Sequence, residues 1–184
     1  MAKVKYKAPK GYGDANAYLR LDGAAEAIAF YEAAFDAREK YRLTMGERIG
    51  HAELDFGKTR VMLSDEFPEM KIVGPKKLGG VSSVLCLLVA DADAVFARAI
   101  AAGATVTRPL TDEFYGYRAG QLEDPFGHVW MIQTLVETVS PKKMQRRLDA
   151  MMAEMTPEEK TAKPRTQKSP APRKAAAKTS KTKE

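Results

Sequence analysis

The chain has 184 residues, 45% of them apolar, with a single cysteine and a formal charge of +6. That length supports one domain with a real core, and no apolar run approaches the roughly 20 residues of a membrane helix. One cysteine, Cys86, excludes an internal disulfide and a Cys-based zinc site, and it fits a reducing cytoplasm.

The charge is unevenly placed. Residues 160–184 hold nine Lys or Arg against one Glu, and residues 1–159 hold 21 basic against 23 acidic residues. The body is therefore nearly neutral, and the basicity of the chain does not make that body a nucleic-acid binder.

Residues 1–13 read as a loosely held, Lys-rich arm with Pro9, Gly11 and Gly13. No apolar segment follows the first lysines, so no secretory signal is expected. Residues 15–21 alternate and predict a strand. A helix follows, from Asp22 or Gly23 to about Phe35, with Ala24, Ala27, Ile28, Tyr31 and Phe35 at helical spacing. Residues 37–44, 48–56 and 59–65 predict three strands, completing a module over 14–66. The Pro- and Gly-rich stretch 67–80 reads as a linker. The order then recurs over 81–139. Residues 81–89 predict a strand, and 91–102 a helix capped by Asp91 and stopped by Gly103. Three further strands fall at 104–109, 117–123 and 128–135. Ser140-Pro141 opens a last helix to about residue 156, with an apolar stripe of Met144, Leu148, Met151, Met152 and Met155. That stripe suits docking on the body or on a second subunit. Residues 157–184 are Lys-, Ala- and Pro-rich, contain no large apolar residue, and read as a disordered tail.

An internal repeat supports this order. The string from Gly50 to Met62, with Glu53 and Phe56-Gly57, returns seventy residues later from Gly120, with Glu123 and Phe126-Gly127. Each copy reads as strand, tight turn, strand. The fold is then two copies of one unit, which fixes architecture before chemistry.

Two βαβββ modules in one chain resemble the vicinal oxygen chelate superfamily, which includes glyoxalase I, bleomycin-resistance proteins and extradiol dioxygenases. The residues that carry the resemblance are 24–35 (AAEAIAFYEAAF), 50–54 (GHAEL), 61–66 (VMLSDE), 114–116 (FYG) and 124–130 (DPFGHVW). They look like the PhnB-like, glyoxalase-like subgroup, and the likeness spans about residues 14–150. It implies an α+β fold in which two curved half-sheets form a cup-shaped mixed sheet. The cup opens on a small-molecule site, often at a dimer interface. In the metal-using members four His, Glu or Gln ligands come from fixed strand positions. Those positions fall here on Asn16, on Leu63 or Val61, on Val84 and on Met131. Three apolar residues do not hold a hard or borderline metal, so no divalent metal or other cofactor is expected.

Strand parity carried from those positions turns Tyr18, Arg20, Cys86 and Gln133 toward the cup. Arg20 stands where the resembling family often has an Arg that grips a substrate carboxylate; a solvated Arg on the rim is the competing reading. His51 and Glu53 point the same way on one strand, and their repeat partners are Gln121 and Glu123. His51 then serves as donor or general base, or as a structural histidine satisfied by neighbouring backbone. Tyr117, on the loop and strand after Asp112, is the residue of that rim expected to face inward. Trp130 is expected in the core, and His128 at the surface of its turn.

Three functions follow as expectations. The first is a cytoplasmic, dimeric binder of a small anionic or aromatic molecule without metal, lined by these residues. The second is a lyase, isomerase or dioxygenase-type enzyme with His51 as base or as a relocated metal ligand. The third is a nucleoid-associated protein whose tail, 157–184, makes weak, nonspecific contact with nucleic-acid phosphates.

Overall fold

A computed structural model describes residues 8–155. The expectation of a disordered, nucleic-acid-contacting tail at 157–184 falls outside those residues.

The architecture is α+β. In chain order the first module is β1 (Tyr18–Leu21), α1 (Ala24–Phe35), β2 (Arg38–Met45), β3 (Arg48–Phe56) and β4 (Thr59–Asp65). The second is β5 (Val84–Leu88), α3 (Ala92–Ala101), β6 (Thr105–Asp112), β7 (Tyr117–Glu123) and β8 (Val129–Leu135). Between them stand a 3-10 turn, Pro68–Met70, and the short helix α2 (Pro75–Leu78); helix α4 (Pro141–Glu154) follows. Each module makes one four-stranded mixed sheet, in the order β1-β4-β3-β2 and β5-β8-β7-β6. The β1–β4 and β5–β8 pairs are parallel, and the other pairs are antiparallel.

One face of each sheet is closed by helix. Leu19, Leu21, Leu54, Val61 and Leu63 from the first sheet, and Leu122, Trp130 and Ile132 from the second, share one core with both helices. Six aromatic rings, Phe30, Tyr31, Phe35, Phe56, Phe126 and Trp130, meet there, with Phe56 stacked on Trp130 at 5.4 Å across the modules. Asp124 lies among them. One of its carboxylate oxygens accepts from Tyr31 Oη at 2.8 Å and Trp130 Nε1 at 2.9 Å, and the other accepts from the backbone N–H of Phe126 and His128. Burial and the adjacent Asp124 charge hold the Tyr31 hydroxyl well above its ordinary pKa.

The helix ends show how the sheets fix the helices. Gly23, the residue before α1, has φ 85° and no capping side chain. Asp65, at the end of β4, takes that role by accepting from the N–H of Gly23 and Ala24, and it also holds Ile49 N. Asp91 caps α3 with its own side chain at 3.0 Å from Ala94 N. Ser140 does the same for α4, with Pro141 at the first helical position. No residue of α4 is buried. It is held through Arg147 and Lys143 to Glu137 and through Arg147 to the Phe114 carbonyl, so its apolar stripe is only partly covered by the body.

Two segments are more structured than their composition implied. Residues 8–13, expected to be loose, are tied to the first sheet, where Arg60 N donates to Gly11 O at 2.8 Å. The linker 67–80 is pressed onto β1. A Cβ at Gly74 would lie 2.6 Å from the Arg20 carbonyl, so only glycine permits that approach, and Gly74 N donates to Glu66 at 2.6 Å.

Candidate functional site

The other face of each sheet is open. On the first, β3 turns His51 and Glu53 the same way, and cross-strand pairing brings in Tyr41, Met62, Ser64, Tyr18 and Arg20. These side chains form a continuous polar row. Glu53, 5% exposed, accepts from Tyr12 and Tyr41 hydroxyls, from Arg60 Nη1 at 2.7 Å and from His51 Nε2 at 3.4 Å. Burial alone would raise the Glu53 pKa; the hydrogen bonds from Tyr12, Tyr41, Arg60 and His51 outweigh it and bring it down to about 2. The same bond pushes Tyr41 up to about 12, with desolvation and the Glu53 charge adding to it.

An ionised carboxylate only accepts, so His51 Nε2 carries the proton and Nδ1 offers a lone pair. That lone pair faces the Tyr18 hydroxyl at 2.8 Å. The Arg20 guanidinium lies over the Tyr18 ring, 3.9 Å from its centroid, and donates to Ser64 Oγ at 2.6 Å. Among the described residues no carboxylate pairs with Arg20.

The open face of the second sheet is less polar. Val84, Cys86 and Leu88 are exposed on β5, and Cys86 pairs with Met131, Leu88 with Gln133 and Gln121 with Met131. Arg108 reaches Met131 Sδ at 3.8 Å and Glu113 at 3.3 Å. Tyr117 is half-buried against Tyr115, with ring centroids 5.9 Å apart.

Several expectations need correction. Leu63 does not face the open side: it and Val61 lie in the core, and Met62 occupies the open-face position beside Tyr18 and Glu53. The reason is the turn. Phe56 ends its strand and Gly57-Lys58 make a two-residue connection, whereas Phe126 lies inside the five-residue connection 124–128. The repeated Phe-Gly string therefore does not carry register into the next strand. Asn16 is tied into the turn before β1, its amide bonded to the Gly13 backbone. Glu53 is already saturated by protein donors and faces Tyr12 of the arm. His51 and Gln121 are not brought into contact among the described residues. His128 is not a free surface group, because its Nε2 meets the Arg20 carbonyl at 3.1 Å across the modules.

At the strand positions implied for metal, the side chains that meet on the open faces are Tyr18 with Met62 and Cys86 with Met131. Two thioethers, a phenol and a thiol do not fit the hard or borderline ion that oxygen and nitrogen ligands select. Among the described residues no group of three or more His, Cys, Asp or Glu could hold a metal ion.

The two sheets meet along β1 and β5, and two crevices mark that seam. One, of about 420 Å³, runs from Asn16 past Lys58 and Arg60 to Cys86, with Trp130 at its floor. The other, of about 500 Å³, is lined by Tyr18 and Arg20 on one side and by Val73, Pro75, Ser82, Ser83 and His128 on the other. That volume suits a small organic ligand. The linker and His128 walls were not legible from periodicity; Gly74-Pro75, a residue pair that opens helices, was the one available signal.

The comparisons agree with this geometry. The sequence model of the Glyoxalase/Bleomycin resistance protein/Dioxygenase superfamily matches residues 16–132. An uncharacterized protein of Mycobacterium bovis is 42% identical over 132 residues, covering 70% of this chain and 87% of that protein. The crystal structure of TioX from Micromonospora sp. ML1 matches at 25% identity and TM-score 0.52, covering 70% of this chain and all of that one. A putative 3-demethylubiquinone-9 3-methyltransferase, PhnB protein, from Bacillus cereus shares the fold at 19% identity and TM-score 0.54, covering 66% of this chain and 99% of that one. Among the described residues no helix is long and apolar enough to cross a membrane. Two βαβββ modules, their open faces and this family match together establish that the chain belongs to the glyoxalase/bleomycin resistance protein/dioxygenase superfamily.

Proposed function

We propose that the chain binds a small anionic or aromatic molecule at the seam between its modules, without a divalent metal, in the cytoplasm. The observation that carries this reading is Arg20. It is half-buried, lacks a carboxylate partner among the described residues, and lines a crevice of about 500 Å³ with Tyr18, two serines and His128. A guanidinium so placed is a ready anion clamp, and sequestration of a harmful compound fits the superfamily. A thermal-shift screen of small carboxylates, phosphonates and antibiotics tests it. A ligand at 100 times its Kd is expected to stabilise the fold by about 2.7 kcal/mol, and Arg20→Ala is expected to abolish that gain. A screen in which no anion raises the melting temperature would overturn the reading.

The open faces support a homodimer as well. Tyr41 and Leu43 on the first sheet, and Val84 and Leu88 on the second, are large apolar side chains left exposed. A second copy that lays one open face against the other would enclose the polar row. Light scattering is expected to give twice the chain mass, falling to one in a Leu43→Glu, Leu88→Glu variant; a monomeric parent protein at micromolar concentration rules the dimer out. The nucleic-acid reading has only the charge of residues 160–184 behind it and is not carried further. The enzymatic reading has one geometric feature behind it, the hydrogen-bonded row itself.

A further inference from the structure

Glu53, His51 and Tyr18 form a carboxylate–imidazole–hydroxyl chain that ends at the crevice. Tyr18 lines the crevice, and His51 and Glu53 do not. Both His51 nitrogens are engaged, Nε2 by Glu53 at 3.4 Å and Nδ1 by the Tyr18 hydroxyl at 2.8 Å. A substrate in the crevice therefore meets the Tyr18 oxygen, with the imidazole behind it and the Arg20 guanidinium above its ring at 3.9 Å. A purely structural histidine is satisfied by backbone; this one joins a buried carboxylate to an exposed phenol.

We propose that this row is a proton-transfer site in which Tyr18 is the catalytic residue, His51 and Glu53 are positioning residues that act through it, and the substrate is a small enolisable 2-oxo carboxylate. The proposal rests on the reading that the crevice binds a small anion. Arg20 holds the carboxylate in its two-pronged fork. The Tyr18 oxygen takes a proton from the carbon next to the ketone while the Tyr18 proton passes to His51 Nδ1. The C–H electron pair moves into a new C=C bond, and the ketone oxygen becomes an enolate beside Arg20. The imidazolium formed is neutralised by ionised Glu53. Reversal returns a proton to the same molecule, so one C–H bond breaks and reforms, and no oxidant, reductant or second substrate is needed.

The test is deuterium exchange at C3 of 2-oxobutyrate, followed by proton NMR in D₂O with the full chain. The expected result is exchange above the buffer rate that saturates with 2-oxobutyrate. Tyr18→Phe removes one hydroxyl from a half-exposed ring, and its melting curve checks that it folds. It is expected to slow exchange by about 100-fold or more with KM unchanged. His51→Gln is expected to lower kcat in the same way, and Arg20→Lys to raise KM. Exchange that survives Tyr18→Phe overturns the proposal. So does saturable binding of 2-oxobutyrate, seen as shifts of its own signals, without exchange; that outcome leaves the anion-binding reading standing. If neither 2-oxobutyrate nor any screened anion binds, both fall together.

Discussion

Asp124→Ala is expected to lower the unfolding free energy by about 3–5 kcal/mol, because it strands two buried side-chain donors at about 1–3 kcal/mol each and removes two backbone contacts. Tyr31 reaches Asp124 from the first module, and Trp130, Phe126 and His128 reach it from the second. The carboxylate is 4% exposed, so water cannot replace it. A domain of this size has about 5–15 kcal/mol in all, and such a loss is a large fraction of it. Urea denaturation measures the effect. The control is Tyr31→Phe, which removes one donor with its hydrogen bond. The double variant is expected to cost less than the sum of the singles, since the stranded hydroxyl is then absent. Equal stability of Asp124→Ala and the parent chain would mean that the aromatic core alone holds the modules together.

The second large effect concerns pH. Glu53 is held at about 2 in the folded chain, below its ordinary 4.5. A carboxylate depressed in this way contributes stability that is fully present above its unfolded pKa. That contribution is lost as pH falls through the folded value. Stability is therefore expected to fall between about pH 4.5 and 2, by up to about 3 kcal/mol from this group. Tyr41 works in the opposite direction on the scale. Its pKa is pushed up to about 12 because it donates to Glu53, so its contribution is present below pH 10 and is lost as pH rises toward 12. Denaturation at pH 2.5, 4.5, 7 and 11 is expected to show both limbs in the parent chain and neither in Glu53→Gln. An unchanged acid limb in that variant would assign acid sensitivity to other carboxylates.

The Glu53 cluster also bears on access to the site. Tyr12 comes from the arm before β1, and its hydroxyl bonds to Glu53 while Arg60 lies 5.0 Å from its ring. The arm therefore covers the Glu53 end of the row. The Tyr18–Arg20 end remains open to the crevice. Ligand chemistry is thus steered toward the phenol and guanidinium and away from the buried carboxylate, even though His51 and Glu53 are the residues whose spacing first draws attention.

Local pattern in the amino-acid sequence sufficed for the order of elements, the duplicated module, the Ser140 and Asp91 caps, the burial of Trp130 and the shared facing of Tyr18, Arg20, His51 and Glu53. These depend on periods of two and 3.6 and on side chains that bond within a few positions, so the information lies inside each segment. The tertiary structure alone decided that Met62 rather than Leu63 faces the open side. It also decided that Asp65 caps a helix 41 positions away, that Tyr12 closes on Glu53, and that His128 and the linker wall the crevice. Facing propagates along a strand but is lost through a turn whose length differs between copies. Contacts between segments depend on where a connection packs, which its Pro and Gly content does not encode.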